Sequence, residues 1–181
     1  ASLPQALVQA LADALGDGLR LDASERLTYA YDNSRRHALP DAVALPRDRE
    51  QVVALVRACR AHGVPVIARG RGTNPPGAAV PVAGGVVVSF ERMDRIVAIR
   101  PGDRCAVVEP GVLNGDLQAA LAPHGLFWPP DPTSAAYSTV GGNLGAASPA
   151  GDCHPVLLAS DTEVEGGSVR GSRRIPIADF Y

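Results

Sequence analysis

PVIARGRGTNPPGAAVP, residues 65–81, joins a short apolar run to a segment crowded with glycine and proline. The run from Pro65 to Ala68 reads as a buried strand, and the glycines after it let the chain turn or let its backbone approach another group closely. Gly70, Arg71, Gly72, Thr73, Asn74 and Pro75 begin like the G-x-G-x-x-G fingerprint of dinucleotide folds but fail at its sixth position. Pro75 and Pro76 also disfavour helical geometry in the residues before them, whereas that fingerprint needs a helix to open directly after the glycines. Two readings stay open on these residues: a tight surface turn, or a helix-free nest of main-chain amides for phosphate oxygens, with Thr73 and Asn74 adding side-chain hydrogen bonds.

Outward from this loop the chain alternates helices and strands. Upstream, Ala42 to Leu45 reads as a strand. Asp48 then caps a helix whose apolar stripe is Val52, Leu55, Val56 and Cys59, and Gly63 ends it. With the strand at 65–68 this makes a β-α-β unit, which favours parallel pairing. An earlier helix opens on a capping box at Ser2, Pro4 and Gln5, carries Leu7, Leu11 and Leu15 on one face and stops at Gly16. A short helix is expected at 23–29, and 31–40 reads as polar loop. Downstream, strands are expected at 85–90, 96–99 and 105–108, with a turn at 101–103. A helix capped by Asn114 runs to Leu121 and ends at Gly125, with His124 placed to cap its C-terminus. Residues 127–152 read as a long loop holding the only Trp, and the tail suggests strands near 162–165 and 173–177.

Composition narrows the classes. At 181 residues, with 46% hydrophobic and 20% charged residues, the chain suits one globular domain. A formal charge of -2 gives no electrostatic basis for a nucleic-acid partner, and no apolar run reaches the length of a membrane span. All 17 basic residues are Arg, so a Walker lysine and a Schiff-base lysine are excluded. Cys59, Cys105 and Cys153 are odd in number and widely spaced, which fits a reduced, cytoplasmic setting. Cys153 beside His154 is not a metal motif without further ligands at suitable spacing, so no metal is expected.

A second hydroxyl-plus-glycine cluster, Thr139, Val140, Gly141, Gly142 and Asn143, lies in the long loop. Two such loops can grip a diphosphate from two sides. Asp131 and Asp152 are candidates for sugar hydroxyls, because a carboxylate accepts two hydrogen bonds, although Asp131 beside Pro132 equally suits a turn.

Four stretches in order, PVIARGRGTN, VVVSFERMDRIVAI, AVVEPGVLNGDLQAALAPHGLFWPPDP and STVGGNLGAA, resemble the FAD-binding domain of the vanillyl-alcohol oxidase and p-cresol methylhydroxylase superfamily. The resemblance spans about residues 40–147 and looks nearest to FAD-linked D-lactate dehydrogenases and glycolate oxidase subunits. It implies an α+β, two-lobed PCMH-type fold, one FAD-binding domain over 1–181 with lobes at about 1–90 and 91–181, FAD between them, and no separate substrate domain. It assigns Arg69, Gly70, Arg71, Gly72, Thr73 and Asn74 to the pyrophosphate loop, and Pro129, Pro130 and Asp131 to a stretch beside the flavin. Thr139, Val140, Gly141, Gly142 and Asn143 match a second FAD loop, and Gly111 lies in a segment near the cofactor. No His stands in the first loop, so non-covalent FAD is implied. From about residue 148 the tail resembles instead the flavin subunit of molybdenum hydroxylases, in which the Asp matching Asp152 binds FAD.

The implied function is that of a flavin-dependent oxidoreductase acting on a small 2-hydroxy acid. The alternatives are a flavin module passing electrons to a partner subunit without its own substrate site, or a shortened domain holding FAD weakly. Arg35, Arg36 and His37 form a polar cluster able to bind a carboxylate, but equally a solvated loop, and no catalytic residue is assigned.

Overall fold

A computed structural model describes residues 3–73, 77–130 and 132–145, and the backbone alone of 157–158 and 163–165. The chain divides into two compact units, Ala1–Met93 and Asp94–Tyr181.

In the first unit the elements are α1 (Gln5–Leu15), β1 (Leu19–Arg20), α2 (Ala23–Leu27), β2 (Ala42–Ala44), α3 (Arg49–Ala61), β3 (Val66–Arg69) and β4 (Val86–Ser89). The sheet order is β1-β2-β4-β3, with β1 antiparallel and the other neighbours parallel. The expected β-α-β unit is present, but its two strands do not pair: β4 lies between them. Burial explains the order. All four residues of β4 are buried, which suits a central strand, whereas β3 exposes Val66 and Ala68 and takes the edge.

One face of this sheet is covered by α1 and α3. Leu7, Leu11 and Leu15 pack with Leu55 and Cys59 over Ala42, Ala44, Val86 and Val88. Val56, expected in the α3 stripe, is 43% exposed, because the buried face follows the i, i+4 pair Leu55 and Cys59. Asp48 caps α3 as expected, accepting from the Gln51 N–H at 2.8 Å. At α1 the N-cap position is Pro4, with no side-chain cap; the capping box also involves Ser2, which lies outside the described residues.

The second unit contains β5 (Ile96–Arg100), β6 (Cys105–Val108), α4 (Asn114–Leu121), α5 (Val140–Gly145), β7 (Leu157–Leu158) and β8 (Glu163–Glu165). Its sheet is antiparallel, in the order β5-β6-β8-β7. Ala106, Val108, Val112, Leu117, Leu121, Trp128 and Val140 form its core. The region read as one long loop therefore holds a short helix, α5, anchored by the fully buried Val140.

Candidate functional site

Each unit carries one of the two glycine clusters, and the two are built differently. In the first, β3 ends at Arg69, whose N–H···O ladder with β4 extends to a bond from Phe90 N–H to the Arg69 carbonyl at 3.2 Å. The chain then leaves the sheet edge through Gly70, Arg71, Gly72 and Thr73. Among the described residues nothing accepts a hydrogen bond from the amides of 70–73, while the Gly72 carbonyl accepts from Asn33 N–H at 3.1 Å. Gly72 has φ +67°, in the left-handed region. A Cβ there would stand 2.5 Å from Nη2 of Arg69 and 2.7 Å from its Cζ. The left-handed backbone favours glycine here, and the neighbour a Cβ would displace is an arginine of the same chain.

Arg69 is 7% exposed, and its Nη1 donates to the Tyr31 carbonyl at 2.6 Å. Its guanidinium carbon lies 5.7 Å from the Tyr29 ring centroid. Burial pushes the guanidinium below its ordinary range, opposed chiefly by the negative charge of Asp32. Asp32 is itself buried; burial raises its carboxyl, but hydrogen bonds from Ser34 and Ala79, with the Arg69 charge, outweigh this and hold it below the usual value. Beside them the Tyr29 hydroxyl donates to Glu91 at 2.9 Å, and burial, then that bond, push the phenol up to about 12.

The chemistry of the first loop fits a diphosphate. Four successive amides lack an acceptor among the described residues, Gly70 and Gly72 leave the backbone bare, and Arg71 adds an exposed cation.

In the second cluster, expected to grip a diphosphate from a second side, four amides are donors within the unit. Val140 N–H donates to Val112 O at 2.8 Å, Gly141 N–H to Pro110 O at 2.9 Å, and Asn143 N–H to Thr139 O at 3.0 Å. Gly142 N–H donates to Thr139 Oγ1 at 3.0 Å. Every one of these amides is engaged within the unit, so none is free for a phosphate. Gly141 is required by packing, since a Cβ would lie 2.7 Å from Pro110 Cβ and 2.8 Å from its carbonyl oxygen. Gly111 is buried in the turn between Pro110 and Val112.

Asn114, read as a helix cap, is instead the first residue of α4 and has no solvent exposure. Its Oδ1 accepts from the Trp128 indole at 2.8 Å and from Asn143 Nδ2 at 2.7 Å, and its Nδ2 donates to Ser138 Oγ at 2.8 Å. One turn on, Gln118 brackets the Trp128 backbone, donating to its carbonyl at 2.5 Å and accepting from its N–H at 2.9 Å. These bonds set Trp128 just before Pro129 and Pro130, which are half-buried. The i, i+4 pair Asn114 and Gln118, polar on the apolar face of a helix and upstream of the lone Trp, is the sequence signal for this network.

Asn74, Asp131 and Asp152 lie outside the described residues, as do Cys153 and His154. Among the described residues no group of three or more His, Cys, Asp or Glu is placed to hold a metal, and no helix is long and apolar enough to cross a membrane. Arg35, Arg36 and His37 are exposed, with His37 bridged to Tyr31 and its ring 5.6 Å from the Tyr31 ring.

Comparison with known proteins agrees with this architecture. Residues 40–161 match the family described as FAD binding domain. Glycolate oxidase subunit GlcD of Bacillus subtilis (strain 168) is 41% identical over 120 residues, covering 66% of this chain and 26% of that protein. D-2-hydroxyglutarate dehydrogenase of Stutzerimonas stutzeri (strain A1501) is 40% identical over 125 residues, covering 68% and 27%. Among solved structures, p-cresol methylhydroxylase with substrate bound superimposes with a TM-score of 0.65 at 26% identity, over 76% of this chain and 28% of that one. The chain thus spans about a quarter of the length of these relatives. The α+β, PCMH-type fold is the one observed. The similarity of the tail to molybdenum-hydroxylase flavin subunits falls outside the described residues, β7 and β8 backbones excepted, and the family match itself continues past residue 147.

Proposed function

Because the chain belongs to the FAD binding domain family, we propose that it is the flavin-holding portion of an oxidoreductase that acts on a small 2-hydroxy acid, with FAD bound non-covalently. The supporting observation is the chain leaving β3: four amides with no acceptor among the described residues, two glycines and an exposed arginine where a diphosphate needs donors and positive charge. Gly70, Arg71, Gly72 and Thr73 hold the diphosphate in this reading. For Asn74, Gly111, Pro129, Pro130, Asp131, Asp152 and residues 139–143 the support is the likeness of their motifs, and the amides of 140–143 already donate within the unit.

When bound, the flavin supplies the hydride- or electron-accepting chemistry. The 2-hydroxy acid donor is supported by the names of the relatives, glycolate oxidase subunit and D-2-hydroxyglutarate dehydrogenase. Non-covalent attachment is supported by residues 69–74, which contain no histidine.

The test has two parts. Mixed with FAD and desalted, the protein retains flavin absorption, and acid precipitation releases all of it to the supernatant; flavin left on the precipitate sinks the non-covalent assignment. The full-length protein bleaches anaerobically with glycolate, D-lactate or D-2-hydroxyglutarate; flavin that stays oxidised with all three rules out this donor class.

A further inference from the structure

We propose that Asp32 and Arg69 are positioning residues that hold the glycine loop open to its anion from beneath, through residues 31–33, without touching the cofactor. The inference rests on the reading of 70–73 as the diphosphate site.

The segment 31–33 holds the loop on both sides. Arg69, at the end of β3, donates Nη1 to the Tyr31 carbonyl at 2.6 Å. Asn33 donates its N–H to the Gly72 carbonyl at 3.1 Å. Asp32 Oδ2 accepts from Ala79 N–H at 3.4 Å, beyond the loop, while its Oδ1 closes a turn on Ser34 N–H at 2.9 Å. Taking the Gly72 carbonyl inward aligns that peptide so that the amide of the next residue, Thr73, points the opposite way. The Arg69 guanidinium fills the floor where a Gly72 Cβ would sit.

Burial separates this pair from the loop's exposed cation. Asp32 is 5% exposed and Arg69 7%, whereas Arg71 is exposed. A buried guanidinium needs a nearby negative charge, and Asp32 supplies it. Without Asp32, Arg69 loses the largest of the charges that oppose its burial, Glu91 being the other carboxylate near it, and the tie to Ala79 is lost.

The sign of one substitution separates positioning from direct contact. Asp32 is an anion close to an anion site, so if its only influence were charge, Asp32→Asn would tighten FAD binding. Positioning requires the opposite. The experiment titrates the protein with FAD by flavin fluorescence and, without FAD, measures tryptic cleavage after Arg71, for wild type, Asp32→Asn, Asp32→Ala and Gly72→Val. For Asp32→Asn the expected result is FAD affinity about tenfold weaker and faster cleavage after Arg71, as for the loss of a charge-assisted hydrogen bond. If Asp32→Ala does not fold, Asp32→Asn carries the test alone. Tighter FAD binding by Asp32→Asn, or unchanged affinity and cleavage, overturns the proposal. Unchanged FAD affinity in Gly72→Val overturns the diphosphate reading of the loop instead; weakened affinity in Gly72→Val with an unaffected Asp32→Asn overturns the positioning role alone.

Discussion

Asn114 Oδ1 and the indole N–H of Trp128 meet at 2.8 Å inside the core of the second unit, where Asn114 is wholly buried and Trp128 is 3% exposed. A buried amide with partners on both its oxygen and its nitrogen is strongly stabilising as a set, and removing it strands several polar groups at once. Asn114→Leu is therefore expected to cost about 2–4 kcal/mol. Denaturant unfolding measures the loss. The single Trp adds a direct readout: its emission shifts to the red as the indole gains water, whereas an unshifted spectrum means that the Asn114 bond does not hold the ring.

Gly72 is expected to tolerate no side chain. Alanine there meets a left-handed backbone, at a cost of about 1 kcal/mol, and must also displace the Arg69 guanidinium. Gly72→Ala should lower FAD retention on desalting by at least about tenfold, in line with a loss of more than 1.4 kcal/mol. Gly102→Ala, where a Cβ would meet nothing within 4 Å, serves as the control and should keep its flavin.

Gly141→Ala drives a methyl group against Pro110, 2.7 Å from its Cβ and 2.8 Å from its backbone carbonyl oxygen. Backbone does not yield as a long side chain does, so the expected destabilisation is about 1–3 kcal/mol. Thermal melting of the variant checks this; a melting temperature equal to wild type refutes the close packing of α5 on the turn at Pro110.

Glu109 and Arg95 give the second unit an acid-sensitive tie. Glu109 Oε1 accepts from Arg95 Nη2 at 2.6 Å and Nε at 3.0 Å, and Oε2 from the Arg95 backbone N–H at 2.8 Å. The bonds from Arg95 hold the carboxyl below its ordinary value of 4.5. A depressed folded-state value means that the stabilisation is present above about pH 4.5 and is lost as pH falls through the folded-state value. Urea midpoints measured from pH 7 to pH 3 should show wild type above Glu109→Gln at neutral pH, with the two converging in acid.

Tyr29 acts at the other end of the scale. Its phenol is pushed up to about 12 by burial and by Glu91, so the neutral form is favoured in the folded protein. That contribution is complete below the unfolded value of 10.0 and disappears as pH rises through about 12. Ultraviolet titration of wild type against Tyr29→Phe should assign the latest tyrosinate signal to Tyr29.

Much of the framework was legible in residue order. Apolar spacing located α1 and α3, the residues Asn114 and Gly125 bracketed α4, Asp48 announced its own cap, and the all-valine centre of β4 announced a strand buried on both faces. Local chemistry was enough because each signal concerns neighbours three or four residues apart, or two along a strand. The glycine loop was also visible, since glycine and proline constrain the backbone wherever they stand.

What the sequence could not settle was the use of each polar group. Gly141 and Gly142 look like a second set of free donors, yet their surroundings consume those donors internally. Asn114 looked like a cap and is a buried hub. Arg69 and Asp32, 37 positions apart, showed no sign of belonging together. A hydrogen bond is decided by whatever the fold brings within about 3 Å, and partners distant in the chain leave no periodic trace. The residue types determined that a glycine-rich turn carrying arginine would follow β3. Only the packing of 31–33 against it decided which arginine faces outward and which is held beneath.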